Sequence, residues 1–172
     1  MVYVLLANGF EEIEALAPVD ILRRAGHTVK TVAIGENPVV GAHGIPVVAD
    51  LTAAEATDTP RMLVLPGGMP GARNLDESPI TDELIDRTLA GGGRVGAICA
   101  APMILGKRGL LRSKNATCYP GFEEHLADAF VFLDVPVVTD GRFTTASGMP
   151  AALAFGEELA SLLDEEIGRA HV

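Results

Sequence analysis

The runs Val2-Tyr3-Val4-Leu5-Leu6-Ala7 and Met62-Leu63-Val64-Leu65 contain no polar side chain able to face water, and each stops at a turn signal, Asn8-Gly9 and Pro66-Gly67-Gly68. A strand with one wet face alternates apolar and polar residues; a strand that is apolar throughout is covered on both faces, as in parallel sheets flanked by helices. The segments between the runs supply those helices. From Glu11 to Ala25 the residues Ile13, Leu16, Ala17, Val19, Ile21 and Leu22 recur at helical spacing, with Pro18 as an interruption and Gly26 as a stop. Pro79 to Ala90 sets Ile80, Leu84, Ile85 and Leu89 on one face and Asp82, Glu83, Asp86 and Arg87 away from it, and ends at Gly91-Gly92-Gly93. Val29 to Ile34 reads as a strand and Pro38 to Ala49 as a hairpin or a pair of short strands. Further strands are expected at Asn115 to Tyr119, Val135 to Thr139 and Arg142 to Ala146, the last two joined by the Asp140-Gly141 turn, and a final helix from about Pro150 to Asp164. The alternation predicts an open, mostly parallel α/β sandwich with a small antiparallel addition, in one domain of 172 residues.

In such sheets ligands bind beyond the carboxyl ends of the strands. Three segments fall there: Asn8 to Glu14, Pro66 to Gly71 and Cys99 to Pro102. In the third, an apolar strand stops at one cysteine and a helix pattern follows, the layout of a nucleophile elbow. Ala97 and Ala101 meet the demand for small residues two before and two after the nucleophile. A helix starting directly behind the sulfur would favour thiolate and lower the cysteine pKa. The competing reading is a buried core cysteine.

Composition narrows the partners. A formal net charge of −10 argues against nucleic acid or an anionic membrane as partner, both of which need clustered Lys and Arg. Two cysteines, Cys99 and Cys118, are too few for a disulfide framework, so a reducing cytoplasm is expected, with Cys118 as packing. The run Val2 to Ala7 is too short for a leader or a membrane span and reads as the first strand. Gly67-Gly68-Met69-Pro70-Gly71 lacks both the phosphate-loop lysine and dinucleotide-fingerprint spacing, so no nucleotide cofactor is implied. The histidines His27, His43, His125 and His171 are scattered and no Cys-x-x-Cys occurs, so no metal is expected.

A partner for the cysteine is sought next. His27, His125 and His171 read as surface or tail residues, whereas Glu11-Glu12-Ile13-Glu14 lies at the carboxyl edge of the first strand. At roughly 100° per residue, Glu11 and Glu14 share a face and Glu12 points elsewhere. Helix-dipole stabilisation accounts for Glu11 or Glu12. Glu14, between Ile13 and Leu16, is expected to be partly buried toward the elbow, with a raised pKa that lets it donate a proton to sulfur.

Taken together, Asn8-Gly9-Phe10-Glu11-Glu12-Ile13-Glu14, Pro18-Val19-Asp20, Arg24-Ala25-Gly26, Leu65-Pro66-Gly67-Gly68 and Ala97-Ile98-Cys99-Ala100-Ala101-Pro102 resemble the ThiJ/PfpI superfamily. Within it the chain is most similar to the branch of the human parkinsonism-associated protein deglycase and its bacterial relatives. The resemblance implies a flavodoxin-like three-layer sandwich, a homodimer, and a site near the dimer interface in which Cys99 is an oxidisable nucleophile and Glu14 its hydrogen-bonding acid. It also implies an oxyanion pocket from the backbone at Gly67, Gly68 and Ala100, and pocket or interface positions at Tyr119, Asp20, Arg24 and His43. Two departures stand out: Tyr119 occupies the place of a site histidine frequent in this branch, and Gly148-Met149-Pro150-Ala151 replaces the usual Gly-Pro-Gly-Thr.

The implied activity is cofactor-independent chemistry on α-oxoaldehydes or glycated substrates, either as a glutathione-independent glyoxalase or as a deglycase. A redox-sensing stress protein or chaperone using the same cysteine is the alternative. A peptidase or amidase is disfavoured, because Ala100 stands where the peptidase branch places histidine and no His-x-Glu follows near Ala146-Ser147-Gly148.

Overall fold

A computed structural model describes residues 1–170; His171 lies outside them. The strands are β1 (Val2–Leu6), β2 (Val29–Ala33), β3 (Val39–Val40), β4 (Pro46–Val47), β5 (Leu51–Thr52), β6 (Met62–Leu65), β7 (Arg94–Ile98), β8 (Asn115–Ala116), β9 (Phe130–Val131), β10 (Val137–Asp140) and β11 (Phe143–Ala146). The helices are α1 (Glu12–Arg24), α2 (Gly71–Glu77), α3 (Pro79–Ala90), α4 (Pro102–Lys107) and α5 (Ala152–Ala170). Seven strands form one sheet in the order β10-β11-β7-β6-β1-β2-β5, parallel except for β10 against β11. This is the flavodoxin-like α/β arrangement expected from the sequence.

The apolar runs are sorted by the pleat, because successive side chains on a strand point to opposite faces. Val2, Val4 and Leu6 of β1 join Leu22 of α1 and Phe155 and Leu159 of α5 in one core. Tyr3 and Leu5 join Leu84 and Ile85 of α3 and Ile104 and Leu105 of α4 in the other. Helices therefore cover both faces, which is why no polar residue interrupts β1.

Several elements differ from the sequence reading. The strand expected at Asn115 to Tyr119 ends at Ala116, because the next backbone N–H groups are drawn elsewhere: Thr117 donates to Thr145 Oγ1 and Tyr119 to the carbonyl of Cys99. The short helix α2 has no strong apolar period, and only Gly71, Ala72 and Leu75 are buried along it. The helix after the elbow does not begin directly behind Cys99. It starts at Pro102 and runs six residues, after a turn from Cys99 to Ala101. Proline suits a first helical position because its missing N–H would be unpaired there anyway. Helix α5 continues six residues past the expected stop at Asp164. No described helix is long and apolar enough to cross a membrane.

Helix α1, which carries the acidic cluster, is held against α5. A Cβ on Gly156 of α5 would stand 2.8 Å from Ile21 Cδ1 and 3.3 Å from Pro18 Cα. Overfilling a packed contact forces side chains off their rotamers and costs about 1–3 kcal/mol. Gly156→Val is expected to push α1 away from α5 and to lower the unfolding free energy by that amount, read from the urea midpoint at an unchanged slope.

Candidate active site

The carboxyl ends of β1, β6 and β7 lie side by side in the sheet and launch the three segments singled out above. At the end of β7, Cys99 adopts φ 66°, one of two non-glycine residues among those described with positive φ. Left-handed backbone costs an L-residue about 1–3 kcal/mol, so the neighbours must impose it. They do: the Cys99 N–H donates to the Ala146 carbonyl at 2.8 Å, and the Cys99 carbonyl accepts from the Tyr119 N–H at 2.8 Å. Ala97 and Ala101 are fully buried against this turn, as the elbow geometry requires. Cys99 itself is partly exposed, whereas Cys118 is buried in the core.

Glu14 reaches the cysteine from the first turn of α1. That turn is fixed by Glu11, whose carboxylate caps the Ile13 N–H at 3.2 Å and whose own N–H donates to the Gly67 carbonyl at 2.9 Å. The glycine pair makes the approach possible. A Cβ on Gly67 would stand 2.5 Å from Glu14 Oε1 and 2.6 Å from Cys99 Cβ, so the two side chains meet over a position that tolerates only hydrogen. Gly68, at φ 89°, lays its backbone on Glu11, where a Cβ would lie 2.4 Å from the Glu11 nitrogen.

Burial raises the Glu14 carboxyl to about 7, helped by the nearby Glu11 carboxylate and opposed by the Cys99 thiol and the Gly67 N–H. Its Oε1 is buried without an aligned donor, which further favours a carboxyl that carries its own proton. The expectation of a cysteine with a lowered pKa is corrected. Burial, together with the Glu14 charge and its hydrogen bond, pushes the Cys99 thiol up to about 12, against the pull of the Gly68 and Ala100 N–H groups. The short α4 begins too late to supply the stabilising dipole. The two groups form one coupled site, in which proton transfer from sulfur to carboxylate converts thiol and carboxylate into thiolate and carboxylic acid without moving net charge. When the proton sits on Glu14, the negative charge that opposes the thiolate is gone and the Gly68 and Ala100 N–H groups face the sulfur.

Glu12 points elsewhere, as its helical position requires, but it is not a solvent-facing dipole acid. Its side chain is buried and accepts from the N–H groups of His43 at 2.9 Å and Ile45 at 3.3 Å, and pairs with His43 Nδ1 at 2.9 Å. These partners hold the Glu12 carboxylate below its ordinary pKa despite burial. Glu11, Glu12 and His43 bring carboxylate oxygens and an imidazole nitrogen within 4.8 Å of one another, a spacing a cation could use. In this fold the Glu12 oxygens are engaged by the β3–β4 loop, so the cluster works as a clasp on that loop. Sequence reasoning did not find the clasp; its only signal was a third glutamate in the first helical turn. His43 also lines an apolar cleft with Ile13, Ile45 and Met149.

Asp20 and Arg24 form an exposed i, i+4 ion pair at 2.9 Å. Asp20 borders a shallow groove lined by Ile13, Leu16, Ala17 and Leu153. Tyr119 is half-exposed and tied to Cys99 through its backbone.

The model of the DJ-1/PfpI family matches residues 1–162. The chain belongs to that family. Protein dj-1beta of Drosophila melanogaster is 35% identical over 163 residues, covering 93% of this chain and 87% of the relative. Its crystal structure superposes with a TM-score of 0.89 at 34% identity, over 94% of this chain and 89% of that one. A deglycase of Pyrococcus horikoshii is 34% identical over 94% of this chain and 98% of its own length. A glutathione-independent glyoxalase of Caenorhabditis elegans is 31% identical over 90% of this chain and 83% of its own. Enzyme chemistry at the level of the DJ-1/PfpI family is thus supported by relatives that span most of the chain.

The raised Glu14 pKa has a measurable consequence. Below pH 4.5 both folded and unfolded chains hold this proton; between 4.5 and about 7 the folded chain keeps it while the unfolded chain releases it. The folded state binds more protons in that window, so this group's contribution to stability falls as pH rises, by roughly 1.4 kcal/mol per pH unit, and levels off above about 7. In Glu14→Gln this fall is expected to vanish. Urea unfolding at pH 5 and pH 8 should show the variant gaining on the wild type by about 2–3 kcal/mol across the interval.

Proposed function

We propose that the chain is a cofactor-independent cysteine enzyme acting on α-oxoaldehydes, converting methylglyoxal to lactate without glutathione. The observation that carries the reading is the meeting of Cys99 and Glu14 over Gly67, a nucleophile and an acid whose pKa lies near neutrality. Proton transfer to Glu14 frees the sulfur to add to the aldehyde carbon, giving a hemithioacetal. In this reading the backbone N–H groups of Gly68 and Ala100, which pull the thiol pKa down, hold the developing oxyanion. Glu14 returns the thiol's proton to the new alkoxide and, again a carboxylate, moves a proton from the former aldehyde carbon to the adjacent ketone carbon through an enediol, leaving a thioester and a secondary alcohol. Water cleaves the thioester and releases the hydroxy acid. One aldehyde carbon is oxidised and one ketone carbon reduced, so methylglyoxal plus water balances to lactic acid with no external redox agent.

The same thiol addition supports deglycase activity on glycated amines and thiols, the activity in the name of the Pyrococcus relative. A cysteine–histidine hydrolase fits less well. The next residue is Ala100, and the described histidines are engaged elsewhere: His27 with Asp164, His43 with Glu12, and His125 beside Glu124.

As further parts of the proposal, the chain works as a homodimer in the reducing cytoplasm. Exposed Ile13, Ile45 and Leu153, on neighbouring elements around α1 and bordered by Asp20, support a self-association face. The alternative reading, a redox-sensing stress protein or chaperone, uses the same cysteine: a thiolate formed by proton transfer to Glu14 on partly exposed Cys99 would meet peroxide before the buried Cys118.

Lactate formation from methylglyoxal without glutathione tests the proposal. Cys99→Ala is expected to abolish it, and Glu14→Gln to lower kcat at least about 100-fold, because proton transfer by a placed acid contributes 10²–10⁴-fold. Wild-type turnover in both variants would refute the assignment.

A further inference from the structure

Between Leu126 and β10 the chain passes through Phe130-Val131-Phe132-Leu133-Asp134-Val135, a segment that is apolar although exposed. Phe130 (59%), Phe132 (42%), Leu133 and Val135 all meet solvent. Their placement follows from β9. Val131 turns inward and packs on the core that holds Ile104 and Leu105, so Phe130 and Phe132, one residue to either side, point to the opposite face.

The backbone of β9 is used on one side. Its pairing with β8 is parallel, and the N–H groups of Phe130 and Phe132 donate to the carbonyls of Lys114 at 2.8 Å and Ala116 at 2.9 Å. Backbone groups of alternate residues turn to opposite edges, so those of Val131 face away from β8, where no third strand pairs among the described residues. The result is an open edge that carries an aromatic face. Such an edge accepts an added strand unless charge or a bulge blocks it.

The surrounding charges decide what can be added. Asp128 and Asp134 bracket the segment, and Glu124 is exposed on the turn packed beside β9. Among the described residues Asp134 has no cationic partner, Glu124 reaches only His125 at 3.7 Å, and Asp128 meets Arg112 at 3.6 Å. A second copy of this chain is a poor occupant. Antiparallel pairing that sets Phe130 against Phe132 of the other copy also sets Asp128 against Asp134, and each chain carries a formal net charge of −10. We infer that the open edge of β9 is a docking surface for an extended segment of another protein, apolar where it lies on Phe130 and Phe132 and basic beyond them. The Val131 N–H and carbonyl supply the backbone hydrogen bonds, and Asp134 and Glu124 meet the Lys or Arg flanks. Neither Cys99 nor Glu14 belongs to this surface, so it stands whatever reaction they perform.

The test uses the full chain and a fluorescein-labelled peptide, Lys-Lys-Val-Thr-Val-Thr-Val-Lys-Lys, against the same peptide with Glu in place of every Lys. By fluorescence anisotropy at low salt the Lys-flanked peptide is expected to bind at least about tenfold more tightly, and to slow hydrogen exchange at the Val131 amide. The double variant Phe130→Ser, Phe132→Ser is expected to weaken that binding at least about tenfold. Asp134→Lys, on an exposed turn, is expected to weaken it about 3-fold while leaving the urea midpoint of the chain unchanged. Failure of the Lys-flanked peptide to bind, equal binding of the Glu-flanked one, or unslowed exchange at Val131 would overturn the inference. Sedimentation showing that the double variant lowers the oligomeric state would overturn it too, because a second copy would then cover the edge.

Discussion

Over Gly67, the Glu14 carboxyl and the Cys99 thiol press on a space that holds no side chain, and burial there makes a second negative charge costly. The Glu14 charge makes ionisation of the thiol more costly while the thiol's hydrogen bond eases ionisation of Glu14, so the two titrate as a coupled pair rather than as separate groups. Everything else in the site serves this juxtaposition. The left-handed turn lifts the sulfur, the Gly67–Gly68 backbone yields room, and the first turn of α1 brings the carboxyl across. No helix begins directly behind the sulfur: α4 starts three residues beyond it, at Pro102.

The fold provides the rigidity that a strained cysteine requires. Three adjacent parallel strands, β1, β6 and β7, end together, so their loops are neighbours without any long connection crossing the sheet. The segments lock onto one another through backbone hydrogen bonds from Glu11 to Gly67, Cys99 to Ala146 and Tyr119 to Cys99. Helix α1 is anchored at its far end by close contact with α5, and at its start Glu12 clasps the loop between β3 and β4. A displacement of any one of these elements would therefore be felt at the Glu14–Cys99 contact.

Much of this was legible from residue order. Strands apolar on both faces could only be sandwiched between helices, and the small residues around Cys99 marked a crowded turn. Glu14 was separable from Glu12 because helical rotation points the two apart, and from Glu11 because Glu14 stands between Ile13 and Leu16. Other features were not legible, for identifiable reasons. The burial of Glu12 depends on a loop thirty residues away supplying N–H groups. The early end of β8 depends on Thr145 and Cys99 competing for its N–H groups. The raised thiol pKa depends on desolvation, which no linear pattern reports.

The order of residues alone determined the layered α/β class, the strand ends at which chemistry would gather, and the pairing of one cysteine with one glutamate, because periodicity and steric smallness are local properties. Only the folded chain decided that Glu14 and Cys99 meet in the space above Gly67, that the thiol pKa rises instead of falling, and that the Tyr119 N–H holds the Cys99 carbonyl. Those outcomes depend on which surfaces exclude water and which backbones approach within contact distance, and both are properties of three-dimensional packing.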